Sequence, residues 1–460
     1  MNEVLSHDID LFIEQNKENI LRDIARLVKI NSVQGEKKPG APFGEGVAQA
    51  LKLGLEISRE LGLEAVNCED MIGYASVGEG DKYLATITHL DIVPTGDGWT
   101  SDPFEMRQRE GWVIGRGVQD DKGPSVLCLY ALKYLKEKNI PLRYQVRALL
   151  GVNEETGMED AEYYLEHYPA PVFCFSPDAD FPLINGEKGI YHGRIIANFP
   201  CENIIDIKGG FAANAVPDKA QAIVKCRSEL QDGENIKVKK LEDGVWQLTS
   251  SGVSGHASTP EGTVNAIGVL LSYILENGIA GETEQEFFRL LMLMHDSYDG
   301  KLLGIAADDG LFTPLTVVGG VIGIEDGRMF QTVDSRYPTN TSGGKIAAHI
   351  NELAGELAHC TVDTDAKPFY VGLDNPALKV CIGAYNEVTA ENAQPYTIGG
   401  GTYSRHFPNA VSFGPEFADR PRPDFAGFIH GVDEAASVEQ LLQALKIYIV
   451  ALINLQEVDF

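Results

Sequence analysis

Residues 144–157 read YQVRALLGVNEETG. Tyr144, Val146, Ala148, Leu150 and Val152 alternate with their neighbours, the period of a β-strand, and the run ends on two adjacent glutamates, Glu154 and Glu155. The same construction recurs on both sides of it. "YLATITHLD" is rich in β-formers and ends on Asp91, and "PVFCFSPD" is a short apolar run ending on Asp178. The intervening segments have helical spacing: "GPSVLCLYALKYLKEKN", with Pro124 near its first turn and Leu127, Ala131, Tyr134 and Leu135 on one face, then "MEDAEYYLEHY". Strand, helix, strand, helix, strand predicts a mostly parallel α/β sheet, with ligands gathering at the carboxyl ends of its strands. Those ends are where the acids stand.

Working outward, Ile20, Ile24, Leu27 and Val28 predict an amphipathic helix within the first ~35 residues. After residue 187 the acid-at-strand-end pattern stops. It gives way to hairpin-like alternation in "VKCRSELQDGENIKVKKLEDGVWQLTSSG" and a helical run, "EQEFFRLLMLMHDSY". Short apolar strands return with "YTIGGGTYSRHFPNAVSFGP", and "SVEQLLQALKIYIVALINL" reads as a core helix capped by Ser437. The expected fold class is α/β with two domains: a catalytic domain over 1–187 and 384–460, and an inserted α+β domain over 188–383.

Bulk properties agree with two domains. A chain of 460 residues exceeds the size at which a single core keeps growing, and 44% hydrophobic residues suffice for two cores. The formal net charge of -29 repels phosphate backbones and anionic lipid, so neither nucleic acid nor a membrane is expected as partner. The first residues show no basic segment followed by an apolar one, and the seven cysteines are scattered without a C-x-x-C pair. Both features point to the cytoplasm and to buried, reduced thiols.

The polar residues at the ends of the apolar runs are His89 and Asp91 in "THLDIVP", Asp120 in "GRGVQDDKG", Glu154 and Glu155, Asp178, and His430 in "GFIHGVDE". Imidazoles and carboxylates without cysteine form a nitrogen and oxygen set suited to Zn²⁺, Mn²⁺ or Co²⁺. Taken together and in this order, "THLDIVP", "GRGVQDDKG", "NEETG", "SPDAD" and a distant "IHGVDE" resemble the metallopeptidase family M20. Within that family the long insertion and "GGGTYSRHFPN" are similar to the PepV-type, carnosinase-like dipeptidases.

The resemblance implies a zinc-peptidase-like catalytic domain with an inserted lid domain and two divalent metal ions, Zn²⁺ first and Mn²⁺ or Co²⁺ as alternatives. His89 and Asp178 would hold one ion, Glu155 and His430 the other, with Asp120 bridging ions roughly 3.5–4 Å apart. Asp121 is expected as the cap of the following helix rather than as a ligand. Asp91 is expected to orient the His89 ring, and Glu154 to carry a proton from a metal-bound water to the leaving nitrogen.

The insertion would supply substrate contacts: His256 in "GVSGHASTP" resembles the family's oxyanion-binding lid histidine. Arg336 suits a substrate carboxylate or a pairing with Asp334. Asn214 suits a substrate carbonyl or a turn, and Gly400 and Gly401 suit close backbone approach. The implied activity is hydrolysis of short, unmodified dipeptides by a protein acting as a monomer. The alternatives are an N-acyl amino-acid deacylase or desuccinylase, and a catalytically silent metal-binding scaffold.

Overall fold

The computed structural model describes residues 3–460. The chain divides into two compact units: 1–185 with 370–396 and 401–460, and 186–369 with 397–400. Helix Pro376–Thr389 lies in the first unit, where it buries Ala377, Leu378, Cys381, Ala384 and Tyr385 in the core.

In the first unit, β1 (Glu64–Cys68), β2 (Ile72–Val77), β3 (Tyr83–His89), β4 (Gln145–Gly151), β5 (Phe173–Ser176) and a strand Ala410–Ser412 run in the order β1-β2-β4-β3-β5, then 410–412. The strands β4, β3, β5 and 410–412 are parallel, and β1 and β2 form an antiparallel edge. Alternate side chains of these strands enter two different cores. Leu84, Val146, Ala148, Leu150, Phe173 and Phe175 pack with the helices α1 (Glu3–Val28), α2 (Glu45–Glu60), α3 (Lys122–Glu137), Pro376–Thr389 and Val438–Leu455. Tyr83, Ala85, Ile87, Leu149 and Cys174 pack on the opposite face with Ala161 and Tyr164 of α4 (Glu159–His167) and with Tyr403. A sheet covered on both faces explains why its central strands are almost continuously apolar.

The C-terminal helix Val438–Leu455 is long and apolar enough to cross a bilayer, yet 61% of it is buried inside the protein. Ser437 caps it by accepting the Gln440 amide. All seven cysteines are free thiols, five of them buried.

The second unit is built on an antiparallel sheet. Its order is Ile236–Glu242, Val245–Ser251, Lys219–Lys225, Ile204–Gly209, Ile322–Glu325, Arg328–Tyr337, Gly189–Ala197, Ala358–Cys360. The hairpin between the first two strands turns at Gly244, whose φ of 77° suits glycine. Helices Ala266–Glu276, Glu282–His295 and Gly343–Ala354 contribute to its core, so this unit is α+β.

Candidate active site

Register brings the site together. His89 pairs with Gly151 across β3 and β4, so the imidazole and the Glu154–Glu155 turn leave the sheet side by side, with β5 ending two residues before Asp178. The His89 backbone N–H donates to Asp121 Oδ2 at 3.1 Å. Its ring Nδ1 lies 3.0 Å from the Asp91 carbonyl oxygen and 3.5 Å from Asp91 Oδ1. An N–H at Nδ1 donating to that carbonyl leaves the Nε2 lone pair pointing into the site. The expected contact with Asp91 is thus made first through its main chain.

Asp121 departs from expectation. It stands at the N-cap position of α3, but its side chain makes no capping hydrogen bond, because the carboxylate, fully buried, is turned to the His89 amide.

Asp120 presents its two oxygens to two different histidines: Oδ1 lies 2.9 Å from His89 Nε2 and Oδ2 lies 2.8 Å from His430 Nε2. Asp178 Oδ2 approaches His89 Nε2 at 3.7 Å, and Glu155 Oε1 approaches His430 Nε2 at 3.3 Å. Ligand-type atoms of His89, Glu154 and Asp178 form one group within 4.8 Å of one another, and those of His89, Asp120 and Glu155 form a second. The adjacent glutamates therefore take different sides, Glu154 with Asp178 and Glu155 with Asp120.

Two buried carboxylates hold that turn. Asp160 Oδ2 accepts the amides of Val152 and Asn153 at 2.6 and 3.1 Å, and Asp91 accepts those of Glu154 and Glu155 at 3.3 and 3.2 Å. Four consecutive N–H groups that leave the strand ladder are thereby satisfied. Tyr403 donates to Asp160 Oδ2 at 2.5 Å and packs edge-on to His89, and its hydroxyl would lie 2.3 Å from any Cβ at position 151. Gly151 is required by that approach.

The electrostatics are those of a crowded acid cluster. Burial and the charge of Asp178 push the Glu154 carboxyl well above its ordinary range. Burial and Asp120 push Asp178 up to about 7. Hydrogen bonds donated to Asp120 and Glu155 raise His430 to about 11. At Asp120, burial favours the neutral acid, but His430 and His89 outweigh it and hold the carboxyl low. Buried nitrogen and oxygen donors crowded at these distances fit divalent cations. His89, Asp120, Glu154, Glu155 and Asp178 supply the donors of the two groups, with His430 facing Asp120 and Glu155, and could hold them.

In the second unit, four of the expected substrate residues lie on linked segments. Asn214 accepts the Ala257 amide through its carbonyl at 2.9 Å, next to His256. The Ser258 amide donates to His256 Nδ1 at 3.2 Å, which places the proton of a neutral ring on Nε2. A Cβ on Gly399 would meet Ser258 Cβ at 2.7 Å, and the Gly399 carbonyl accepts Arg336 Nη1 at 2.9 Å; Gly400 follows, while Gly401 belongs to the first unit. Arg336 also makes the pairing with Asp334, through Nε at 2.8 Å and Nη2 at 3.0 Å. His192 shares that carboxylate at 2.7 Å.

Asp160, Tyr403, Arg116 and Glu434 were not foreseen, although each lies within a stretch already quoted. Asp160 and Glu434 accept backbone amides, which leave no side-chain pattern in a sequence, and Tyr403 and Arg116 act through those two carboxylates.

Residues 85–454 match the model of Peptidase family M20/M25/M40. The chain belongs to peptidase family M20. As a member it is a hydrolase acting on peptide bonds, as the motif resemblance implied. It is 34% identical to YtjP of Bacillus subtilis (strain 168), over 96% of this chain and 98% of that protein. It is 30% identical to the Beta-Ala-Xaa dipeptidase of Lactobacillus delbrueckii subsp. lactis, over 96% and 97%. Among solved structures, human carnosine dipeptidase 1 shares the fold of this M20 chain, with a TM-score of 0.61 at 12% identity over 99% of both chains.

Proposed function

We propose that this M20 hydrolase is a dipeptidase dependent on two divalent metal ions, Zn²⁺ first and Mn²⁺ or Co²⁺ as alternatives, cleaving short unmodified dipeptides. The observation that carries the reading is Asp120, with one oxygen at His89 and the other at His430. Such a cation pair would supply Lewis acidity to a scissile carbonyl and would acidify a water. The 30% identity to a Beta-Ala-Xaa dipeptidase along nearly the whole chain supports the substrate class.

The chain's own groups divide the remaining work. Glu154, largely desolvated beside Asp178, holds its proton more tightly than an ordinary carboxyl, as a group that must take a proton from water and deliver it to a leaving amine requires. Asp91 keeps the His89 ring and the Glu154–Glu155 turn in register. His256, with its ring proton on Nε2, is assigned to the developing oxyanion. Arg336, oriented by Asp334, is assigned to the substrate carboxylate, Asn214 to a substrate carbonyl, and Gly400 and Gly401 to close backbone contact. The large inserted unit, 186–369, supports a monomer, and the free thiols support the cytoplasm.

The test is a side-by-side assay of metal-loaded protein on Ala-containing dipeptides, N-acetyl amino acids and N-succinyl-diaminopimelate. Turnover of the dipeptides is expected. Turnover confined to the acylated set would replace this reading with a deacylase or desuccinylase.

A further inference from the structure

His89, Asp178 and Glu155 stand at or just beyond the ends of strands, whereas His430 sits on a loop, half exposed, with a φ of 61°. What fixes that loop against Asp120 is a buried ion pair. Glu434, fully buried, accepts through Oε1 the amides of Gly117, Gln119 and Asp120, at 3.1, 3.1 and 3.2 Å. Its Oε2 receives Arg116 Nη1 at 2.6 Å. The other arm of the same guanidinium, Nη2, donates to the carbonyl of His430 at 3.1 Å and reaches that of Pro94 at 3.4 Å.

The contacts close a ring. The backbone of Asp120 is tied to Glu434, Glu434 to Arg116, and Arg116 to the backbone of His430. The side chains of Asp120 and His430 then meet at 2.8 Å. Neither Glu434 nor Arg116 has a hydrogen bond to His89 or Asp178. Those two are held by β3 and β5 and by Asp91 and Asp121.

We propose that Arg116 and Glu434 are positioning residues chiefly for one of the two cation positions, the one faced by Glu155 and His430, which they hold at both Asp120 and His430, whereas the other shares only Asp120 with it, and that they thereby set its affinity. This inference rests on the two-cation reading of the site. A buried ion pair is a weak source of stability but a strong constraint on geometry, because breaking one partner leaves the other charged and unpaired. Groups that orient metal ligands typically change affinity about 10- to 100-fold when removed.

The experiment titrates metal-free wild type, Glu434→Gln and Arg116→Lys with Zn²⁺, reading stoichiometry and both affinities by calorimetry and elemental analysis. Thermal unfolding before metal addition identifies the folded variants. Wild type is expected to bind two ions. Each variant is expected to keep one ion at near wild-type affinity and to bind the other at least about tenfold more weakly, with activity returning at high Zn²⁺.

Wild type failing to bind two ions would overturn the two-cation reading. Wild type binding two while a folded variant binds both unchanged, or loses both equally, would overturn this inference alone. Arg116→Lys keeps the charge beside Glu434 and so provides the test should Glu434→Gln not fold. Failure of both to fold would assign the pair to the scaffold and overturn the inference as well.

Discussion

Asp91 Oδ2 accepts the backbone N–H of Glu155 at 3.2 Å. The residue expected to steer an imidazole is therefore also the anchor of the turn that carries both glutamates, and its own carbonyl faces the His89 ring. Positions of His89, Glu154 and Glu155 are thus set by one side chain and one main-chain oxygen, and a change at Asp91 moves all three.

The two glutamates should separate on substitution. Glu154→Gln is expected to lower kcat by about 10²-fold or more while the bound metal is unchanged, since proton transfer by a positioned group contributes about 10²–10⁴-fold. Glu155→Gln is expected to lower metal content first and activity as a consequence. Elemental analysis beside steady-state kinetics reads both, and near-normal kcat in Glu154→Gln would remove its assigned role.

Metal loading should acidify the solution. In the metal-free protein hydrogen bonds to Asp120 and Glu155 raise His430 to about 11, so it carries a proton at neutral pH. A cation can take that nitrogen only as the proton leaves. Zn²⁺ added at pH 7 in weak buffer should release roughly one proton or more per chain, and apparent affinity should rise with pH. An indicator-dye titration showing no release would contradict the arrangement.

Gly151→Ala should destabilise the first unit. The added Cβ falls 2.3 Å from the Tyr403 hydroxyl, which is itself buried and bonded to Asp160. Overpacking of this kind costs about 1–3 kcal/mol, measurable as a lower urea midpoint for metal-free protein. An unchanged midpoint would show that Tyr403 moves aside without cost.

His295 should make the protein acid-sensitive. Loss of hydration lowers its pKa to about 4, and the hydrogen bond with Gln331 opposes this only partly. The folded chain then binds fewer protons than the unfolded chain between about 4 and 6.5, the ordinary histidine value, so this contribution is complete above that window and lost as pH falls through it. Wild type should lose up to about tenfold in its folding constant per pH unit there relative to His295→Gln. Parallel pH profiles for the two proteins would exclude the effect.

The strand-helix alternation and the acids at strand ends were legible because period and punctuation are local properties. His89, Glu155 and Asp178 converge because parallel register aligns the strand ends, and loop contacts made by Glu434 and Arg116 bring Asp120 and His430 together. Three things were not legible. Asp121 has the position of a cap but serves the His89 amide, 32 residues earlier in the chain. Asp160 and Glu434 bind amides, which every residue possesses, so no spacing of side chains marks them. Helix Pro376–Thr389 belongs to the first unit through the partners of its apolar face, and helical periodicity alone does not name those partners.

One consequence concerns biosynthesis. The parallel strand Ala410–Ser412 pairs with β5 at Ala410 and Cys174, across the whole of the second unit in sequence. As the chain leaves the ribosome, β1 to β5 are available early, but β5 waits without its outer neighbour until residue 412 has emerged. Through that interval the nascent chain carries an unpaired, apolar strand edge, a surface that invites association with other chains and that holding factors would shield. Insertion of a whole unit into the middle of a parallel sheet therefore makes the most exposed moment of this protein's life its synthesis.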